Sequence, residues 1–355
     1  MKPWREAASL ILAASNAQKY NHTASLTIHN YNLLCLKRHQ NSSFYAGTYV
    51  FPGGAIDPSD ADLKWRELFA NFGFDDNSFA SLRPKIVTPI FQPRPNELPR
   101  EISLRITAIR ETFEECGVLM CRHKRDAAAS SNWIKEMSVP KSELELWRNK
   151  VHNDAKEFIT LCEKFKCYPD LWALHEWGNW ITPTIFKKRF DTIFYLACMP
   201  YMPHAEYQAS ELQDLKWENP ENIMSSKDFA LPPPQHYEIT RLTNFKDIDG
   251  LLEFAMKCEK GVQLYLPVHI HLKDGMVSVL PGDTFYPKEV NLSHNQIINK
   301  SDITMDEFRE ATPIKHRFEY DKEVAKIIKV FFEHNKENEA EFKFVYGEES
   351  CKNKL

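Results

Sequence analysis

Residues 110–117 read Arg110-Glu111-Thr112-Phe113-Glu114-Glu115-Cys116-Gly117, a run that holds three carboxylates and ends in glycine. As a helix, this run places Glu111 and Glu115 four residues apart on one face, where like charges repel each other. A divalent cation between them would reverse that repulsion, because hard ions such as Mg²⁺ prefer carboxylate oxygens. The alternative is a solvated acidic face without a ligand. We predict a helix over residues 101–120 with a stop near Gly117.

A glycine-rich turn precedes this helix. Pro52-Gly53-Gly54 follows the apolar residues 49–51, and paired glycines allow positive φ and close approach of the backbone to a ligand. Together, the turn and the acidic run resemble the signature of the Nudix hydrolases. That signature is Gly-x5-Glu-x7-Arg-Glu-U-x-Glu-Glu-x-Gly-U, in which U is bulky and apolar.

The resemblance has departures. Thr112 stands where an apolar residue is expected, and the first acid is Asp60, six residues after Gly54. Arg110 comes much later than the signature spacing requires, so an insertion over residues 57–100 divides the motif. We expect this insertion to hold one helix and a long surface loop.

Composition restricts the class of protein. The 355 residues are 43% hydrophobic and 26% charged, which is typical of a soluble globular protein with one elaborated domain or two domains. A net charge of −4 argues against a nucleic-acid partner, and no apolar run reaches the length of a membrane helix. The eight cysteines lack Cys-x-x-Cys spacing, so we expect free thiols in a reducing compartment rather than a zinc site.

The resemblance implies an α+β Nudix fold, a mixed β-sheet sandwiched between α-helices, with two insertions and a C-terminal extension. We predict a Nudix domain over 1–230, with insertions at about 57–100 and 122–180, and an extension over 231–355 packed on the core. Periodicity predicts further elements, which are strands at 5–14, 26–38, 190–201 and 211–217, helices at 132–180 and 235–257, and a hairpin within 262–279.

The resemblance extends beyond the signature. Residues 33–38 and 47–54 look like the coenzyme A motif of CoA-directed Nudix enzymes. Other segments resemble the mammalian peroxisomal acyl-coenzyme A diphosphatase branch of the family, namely residues 172–177, 182–183, 189–192, 231–238 and 280–283. This branch implies hydrolysis of CoA and acyl-CoA esters to 3′,5′-ADP and (acyl-)4′-phosphopantetheine, with Mg²⁺ or Mn²⁺. Two alternatives stay open, a Nudix diphosphatase for NADH or ADP-ribose and an inert Nudix fold that serves as a binding module.

The acidic run supplies the expected catalytic residues. We predict Glu111 and Glu115 as metal ligands and Glu114 as a third ligand or base. We also place Arg110 among the catalytic residues, where it could hold a carboxylate in a bidentate pair. Glu211 is a candidate base, because Nudix enzymes often place a late carboxylate in this region; the alternative is a surface glutamate.

Other residues are expected to contact the substrate. The backbone at Gly53 and Gly54 should supply a carbonyl ligand or a phosphate contact. The 3′-phosphate of CoA needs fixed cations, for which Arg38, Lys188 and Arg189 are candidates. The alternative for the basic run at 187–189 is a solvated surface.

The C-terminus carries a targeting-like tripeptide. Asn353-Lys354-Leu355 resembles the Ser-Lys-Leu address, which a peroxisomal import receptor reads at a free C-terminus. Together with the family resemblance, the tripeptide predicts a peroxisomal location and the import receptor as a partner. A cytoplasmic location is the alternative.

Overall fold

The computed structural model divides the chain into two compact units. The large unit contains residues 6–179 and 192–263, and the small unit contains residues 1–5, 180–191 and 264–355. The structure describes residues 4–16, 28–123, 132–258, 261–294, 296–321, 327–332 and 343–345. The tripeptide at 353–355 lies outside the described residues.

The strands are named in chain order. They are β1 (Arg5–Ser15), β2 (Tyr31–Arg38), β3 (Tyr49–Val50), β4 (Gly53–Ala55), β5 (Cys121–His123), β6 (Cys167–Pro169), β7 (His175–Ile181), β8 (Phe190–Met199), β9 (Leu212–Glu218), β10 (Leu264–Tyr265), β11 (Val268–Leu272), β12 (Gly275–Val279), β13 (Glu289–Asn291), β14 (Ile297–Lys300), β15 (His316–Asp321), β16 (Ile327–Phe332) and β17 (Lys343–Val345).

The α-helices are α1 (Lys64–Asn71), α2 (Arg100–Cys116), α3 (Lys141–Asn153), α4 (Glu157–Phe165), α5 (Pro220–Ser225), α6 (Pro233–Leu242), α7 (Ile248–Met256) and α8 (Met305–Glu310). Short 3₁₀ helices lie at Pro58–Ala61, Ala80–Leu82, Pro89–Phe91 and Leu171–Ala173. Among the described residues, the structure contains no helix whose length and apolarity would suit a bilayer crossing.

A mixed sheet forms the centre of the large unit. Its strands run in the order β7-β8-β1-β2-β3, while β4 pairs with β1 and β9 pairs with β2. Strand β1 is buried along almost its whole length, as expected for a strand covered on both faces. One face of β1 and the apolar stripe of α2 share a single core cluster, which includes Leu10, Leu12, Ile102, Ile106, Ile109 and Phe113.

Helix α2 is the predicted motif helix. It begins after Pro99 and ends before Gly117, which adopts a left-handed conformation with φ of 76°. The Gly117 N–H donates to the carbonyl of Phe113 at 2.8 Å. The predicted stop at Gly117 is therefore confirmed, because glycine accepts this conformation without a Cβ clash.

The two insertions differ from their predictions. The first contains α1 as predicted, and short 3₁₀ helices at Ala80–Leu82 and Pro89–Phe91 interrupt the expected loop. In the second, the helical prediction is confirmed for α3 and α4 but is wrong for residues 132–140 and for the segment beyond α4. Lys166 ends that helix with φ of 49°, and the next residues pair with β5 as strand β6. Cross-strand pairing, which a local pattern does not reveal, decides this segment.

The large unit extends beyond the predicted boundary at residue 230. The predicted helix at 235–257 is two helices, α6 and α7, and both belong to the large unit. The Tyr31 hydroxyl donates to the carbonyls of Leu242 and Phe245, both at 3.0 Å. The Trp177 indole donates to Glu238 Oε2 at 2.9 Å. These buried contacts attach α6 and the residues that follow it to the large unit.

The small unit contains a second sheet, in the order β14-β11-β12-β15-β16. Strands β11 and β12 form the predicted hairpin around Asp274 and Gly275. A buried ion pair, in which Arg317 donates to both carboxylate oxygens of Asp283 at 2.6 and 2.7 Å, stabilises the unit.

Replacement of Glu238 tests the attachment of α6. Glu238 is fully buried and accepts hydrogen bonds from Trp177 and, at 2.7 Å, from Arg241. Removal of one partner of a buried ion pair costs about 3 kcal/mol or more. We expect Glu238→Ala to lower the free energy of unfolding by about 3 kcal/mol in urea titrations. The control Glu253→Ala, which breaks an exposed pair with Lys257 on α7, should change it little. Equal effects of the two changes on the free energy of unfolding would contradict the role of Glu238 in attaching α6.

Candidate metal centre

The Pro-Gly-Gly turn lies against the acidic end of α2. The Gly53 N–H donates to Glu115 Oε2 at 2.9 Å. Strand β4 pairs with β1 so that Gly53 lies opposite Ser9, which fixes the turn on the sheet. A Cβ at Gly54 would lie 2.5 Å from the carboxyl carbon of Glu111. The absence of a side chain at Gly54 therefore allows Glu111 to pack against the turn.

Asp60 lies directly against α2, although 49 residues of chain separate it from Arg110. Arg110 donates through Nε and Nη2 to the two oxygens of Asp60, both at 2.8 Å, and Thr107 Oγ1 donates to Asp60 Oδ2 at 2.8 Å. Both partners are almost fully buried. The predicted bidentate pair of Arg110 is thus formed with the first acid of the divided motif.

The same guanidinium holds two more carboxylates. Its Nη2 lies 3.0 Å from Glu111 Oε1, and its Nη1 lies 2.5 Å from Glu114 Oε1. With 3% of its side chain exposed, Arg110 is committed to protein groups. This geometry agrees with the expectation that Arg110 holds carboxylates, and its place among the catalytic residues stays a prediction.

The carboxylates of this cluster resist ionisation. Burial and the charge of Glu111 raise the pKa of Glu115 well above its usual value. Burial raises the pKa of Glu111 to about 7 against the opposing effect of Arg110, and burial also raises the pKa of Glu114. The guanidinium of Arg110 contacts three carboxylates, those of Asp60, Glu111 and Glu114. The carboxylate oxygens outnumber the positive charges beside them. Such a site fits a hard divalent cation, which Glu111 and Glu115 would hold.

Helix α3 of the second insertion supports the site. Arg148 donates through Nε to the carbonyl of Glu114 at 2.8 Å and through Nη2 to the carbonyl of Glu115 at 2.7 Å. The Gln208 N–H also donates to the Glu115 carbonyl at 3.0 Å. His152 Nδ1 lies 3.8 Å from Glu114 Oε2. Sequence reasoning missed Arg148 and His152, because neither stands in a motif and only folding brings α3 to the end of α2.

Two further predicted residues lie near the cluster. Glu211 is exposed in the turn just before β9, and its negative charge contributes to the raised pKa of Glu114 and Glu115. Arg38 ends β2, and its positive charge opposes the rise in the pKa of Glu115. The His39 N–H donates to the Glu211 carbonyl at 3.3 Å, which joins these two segments.

Lys188 and Arg189 belong to the small unit. There, Arg189 donates through Nε to the Thr182 carbonyl at 2.9 Å and through Nη1 to the Leu292 carbonyl at 2.8 Å. The buried guanidinium thus has a structural role within that unit. The Lys188 ammonium lies over the Phe190 ring, 5.6 Å from its centroid. Phosphate binding by these two residues stays a prediction.

Comparison with known families agrees with this geometry. A protein-family model described as the NUDT19 Nudix domain matches residues 4–242. A second family model, described as the NUDT19 C-terminal domain, matches residues 269–328. The chain belongs to the NUDT19 family of Nudix proteins. Its predicted α+β Nudix fold is thereby confirmed. Nudix hydrolases generally need divalent metal ions, in agreement with the carboxylate cluster.

Curated members of this NUDT19 family cover most of the chain. The acyl-coenzyme A diphosphatases NUDT19 of Xenopus laevis and Homo sapiens are both 33% identical to it, over 322 and 310 residues. Each alignment covers 82% of this chain and 83% of the relative. The crystal structure of a Nudix hydrolase from Alicyclobacillus acidocaldarius matches with a TM-score of 0.51 at 20% identity, covering 71% of this chain and 97% of that one. This structural likeness shows the fold.

The two glycines of the turn should respond differently to substitution. A Cβ at Gly53, where φ is 149°, would collide with the backbone carbonyl of Ala8, so Gly53→Ala should destabilise the fold. A Cβ at Gly54 would meet only the movable carboxylate of Glu111. We expect Gly54→Ala to keep its thermal stability but to bind Mn²⁺ at least tenfold more weakly in calorimetric titrations. Unchanged Mn²⁺ affinity in a folded Gly54→Ala protein would refute the role given to Glu111.

The raised pKa of Glu111 predicts a pH dependence of stability. Its folded-state value of about 7 exceeds the ordinary 4.5, so ionisation of this group opposes folding. Stability contributed by the neutral carboxyl is present at low pH and is lost as pH rises from 4.5 through about 7. In thermal unfolding with a chelator, we expect the melting temperature to fall across this window, and added Mg²⁺ should reduce the fall. In Glu111→Gln, the melting temperature should change less with pH. If it changed as much as in the wild type, other groups would be the cause of the pH dependence.

Proposed function

We propose that this protein hydrolyses the diphosphate linkage of coenzyme A and acyl-CoA esters, giving 3′,5′-ADP and (acyl-)4′-phosphopantetheine, with Mg²⁺ or Mn²⁺. The observation that carries the proposal is the cluster of half-buried Glu111 with buried Glu114 and Glu115, held between Arg110 and the Gly53 amide. The substrate class is supported by the curated relatives, which are named acyl-coenzyme A diphosphatases and align over most of both chains.

In this proposal each carboxylate has its own task. Glu111 and Glu115 hold the cation, and Arg110 keeps Glu111 and Glu114 in place through ion pairs. A divalent cation at this position would neutralise charge on the diphosphate and lower the pKa of water. The proton released from water needs an acceptor, for which Glu211 and Glu114 are the candidates.

Glu211 is the better placed of these two acceptors. It is exposed to solvent, whereas Glu114 is tied to Arg110 and contacts His152. We therefore assign the base to Glu211 and a role as third ligand to Glu114. Glu211→Gln should lower kcat while leaving Mn²⁺ affinity unchanged, and Glu114→Gln should weaken Mn²⁺ binding. The reverse pattern in steady-state kinetics and calorimetry would exchange the two roles.

Arg38 is our candidate for binding a phosphate of the substrate. Its Nε donates to the Phe44 carbonyl at 3.1 Å, so the side chain is held in place at the end of β2. Its charge reaches Glu115, which places a cation beside the proposed metal ligands. A fixed guanidinium suits a phosphate group because it presents several donors in one plane.

A test of the reaction uses a panel of free CoA, short and long acyl-CoA esters, NADH and ADP-ribose with product identification. We expect release of 3′,5′-ADP from CoA species in the presence of Mg²⁺ or Mn²⁺. Turnover of NADH or ADP-ribose without turnover of CoA species would show that the substrate is another nucleoside diphosphate. The absence of turnover with every compound would favour the binding module. The clustered like charges argue against the last outcome, because they oppose folding and an inert domain would have no reason to keep them.

Glu115→Gln tests the metal assignment within this reaction. We expect turnover to fall by at least a thousandfold with retained thermal stability, because the cation loses a buried charged ligand. The matched control is Glu101→Gln, which changes the first turn of the same helix α2 and should leave turnover near that of the wild type. Wild-type turnover in Glu115→Gln would refute the metal site.

We also propose a peroxisomal location, supported by Asn353-Lys354-Leu355 and by the family resemblance. A fluorescent protein fused to the N-terminus keeps this tripeptide free. We expect the fusion to colocalise with a peroxisomal marker and to become diffuse when residues 353–355 are deleted. A diffuse distribution of the intact fusion would support the cytoplasmic alternative.

A further inference from the structure

Three cysteines from three different secondary-structure elements meet inside the large unit. The Sγ atoms of Cys121, Cys162 and Cys167 all lie within 4.8 Å of one another, and all three side chains are buried. Cys121 begins β5, Cys167 begins β6, and Cys162 lies in the last turn of α4. Their spacing forms no recognised metal motif, so our expectation of unrelated free thiols did not anticipate the cluster.

A histidine shares the face of the β5–β6 ribbon that carries two of these thiols. His123 lies opposite Cys167, and Cys121 lies opposite Pro169. Because side chains alternate along a strand, Cys121, His123 and Cys167 project from the same face. His123 Nδ1 lies 3.3 Å from the Lys166 carbonyl. When Nδ1 donates there, Nε2 carries the lone pair, which is the usual arrangement of a metal-binding histidine.

The geometry of the three thiols favours a metal ion. Three sulfurs that converge in a buried site offer the soft ligands that structural zinc prefers. The alternative is three thiols that act as small apolar side chains in the core. That alternative explains their burial but gives no reason for three Sγ atoms from three elements to lie within 4.8 Å of one another.

We propose that Cys121, Cys162 and Cys167 bind a structural Zn²⁺ ion. His123 lies outside the group of atoms within 4.8 Å of one another, but it shares the ribbon face with Cys121 and Cys167 and would turn toward the ion as the fourth ligand. Thiolate and imidazole are the ligands of structural zinc sites. A tetrahedral site with Zn–S bonds of about 2.3 Å separates its sulfurs by about 3.8 Å, so the thiols need to approach by no more than about 1 Å. Binding would release the thiol protons. This site is additional to the proposed diphosphatase function.

Zinc at this position would connect the two ends of the second insertion. The chain leaves the core after β5 and returns through α4 and β6, so one ion would hold both ends together. Helix α3 lies between them and carries Arg148, which donates to the carbonyls of Glu114 and Glu115. Loss of the ion should therefore loosen the support of the acidic helix as well as lower thermal stability.

Metal analysis of the purified full-length protein tests the proposal. After dialysis against Mg²⁺ buffer, we expect about one zinc per chain by mass spectrometry of the metal. Cys162→Ser and Cys167→Ser should each lose most of the zinc. The matched controls Cys35→Ser and Cys198→Ser change buried cysteines of the same unit outside the cluster and should retain it. Substitution with Co²⁺ should produce a thiolate-to-cobalt charge-transfer band in the wild type.

The cobalt band separates this site from the carboxylate cluster, because carboxylates give no such band. It should persist in Glu115→Gln, so failure of the diphosphatase proposal would leave it unaffected. Zinc-free wild-type protein that gives no cobalt band would overturn the inference. So would undiminished zinc in the folded Cys162→Ser and Cys167→Ser proteins, or a native disulfide between two of the three cysteines.

Discussion

The buried ion pair of Arg110 and Asp60 is the contact on which the candidate site depends. It connects the first insertion to α2 and fixes the orientation of one guanidinium. The remaining donors of that guanidinium then hold Glu111 and Glu114, which would otherwise repel each other and Glu115. Loss of one partner from a buried pair costs about 3–5 kcal/mol, and here it would also release the carboxylates. Stability and function therefore share one interaction.

A second constraint arises from the position of the carboxylates at the end of a helix. The C-terminus of a helix carries partial negative charge and unpaired carbonyls, which disfavour acidic residues there. Gly117, Gln208 and Arg148 offset this by donating to the carbonyls of the last turn. Since Arg148 comes from the second insertion, that insertion takes part in the construction of the site. The cysteine cluster, where the insertion leaves and rejoins the core, fits the same role.

Local patterns predicted the elements whose stability is local. The end of α2 at Gly117 follows from glycine's conformational freedom, and the hairpin around Asp274 follows from its turn. Strand β8 is confirmed as a long apolar run. The segment after Lys166 was predicted as helix and is instead strand, because its pairing with β5 outweighs its local pattern. The attachment of α6 to the large unit likewise depends on hydrogen bonds from Tyr31 and Trp177 to residues distant in sequence.

The sequence by itself determined the chemistry of this protein: three closely spaced carboxylates, a glycine turn and the family resemblance that joins them. Those features are readable because residue type and helical spacing set charge and direction locally. Only the tertiary structure decided which distant groups complete the site. Asp60 and Arg148 reach the acidic end of α2 through the two insertions, and folding also brings Cys121 to Cys162 and Cys167 at a separate place. Their contacts depend on how the elements pack against one another. The spacing of residues along the chain does not show which elements will pack together.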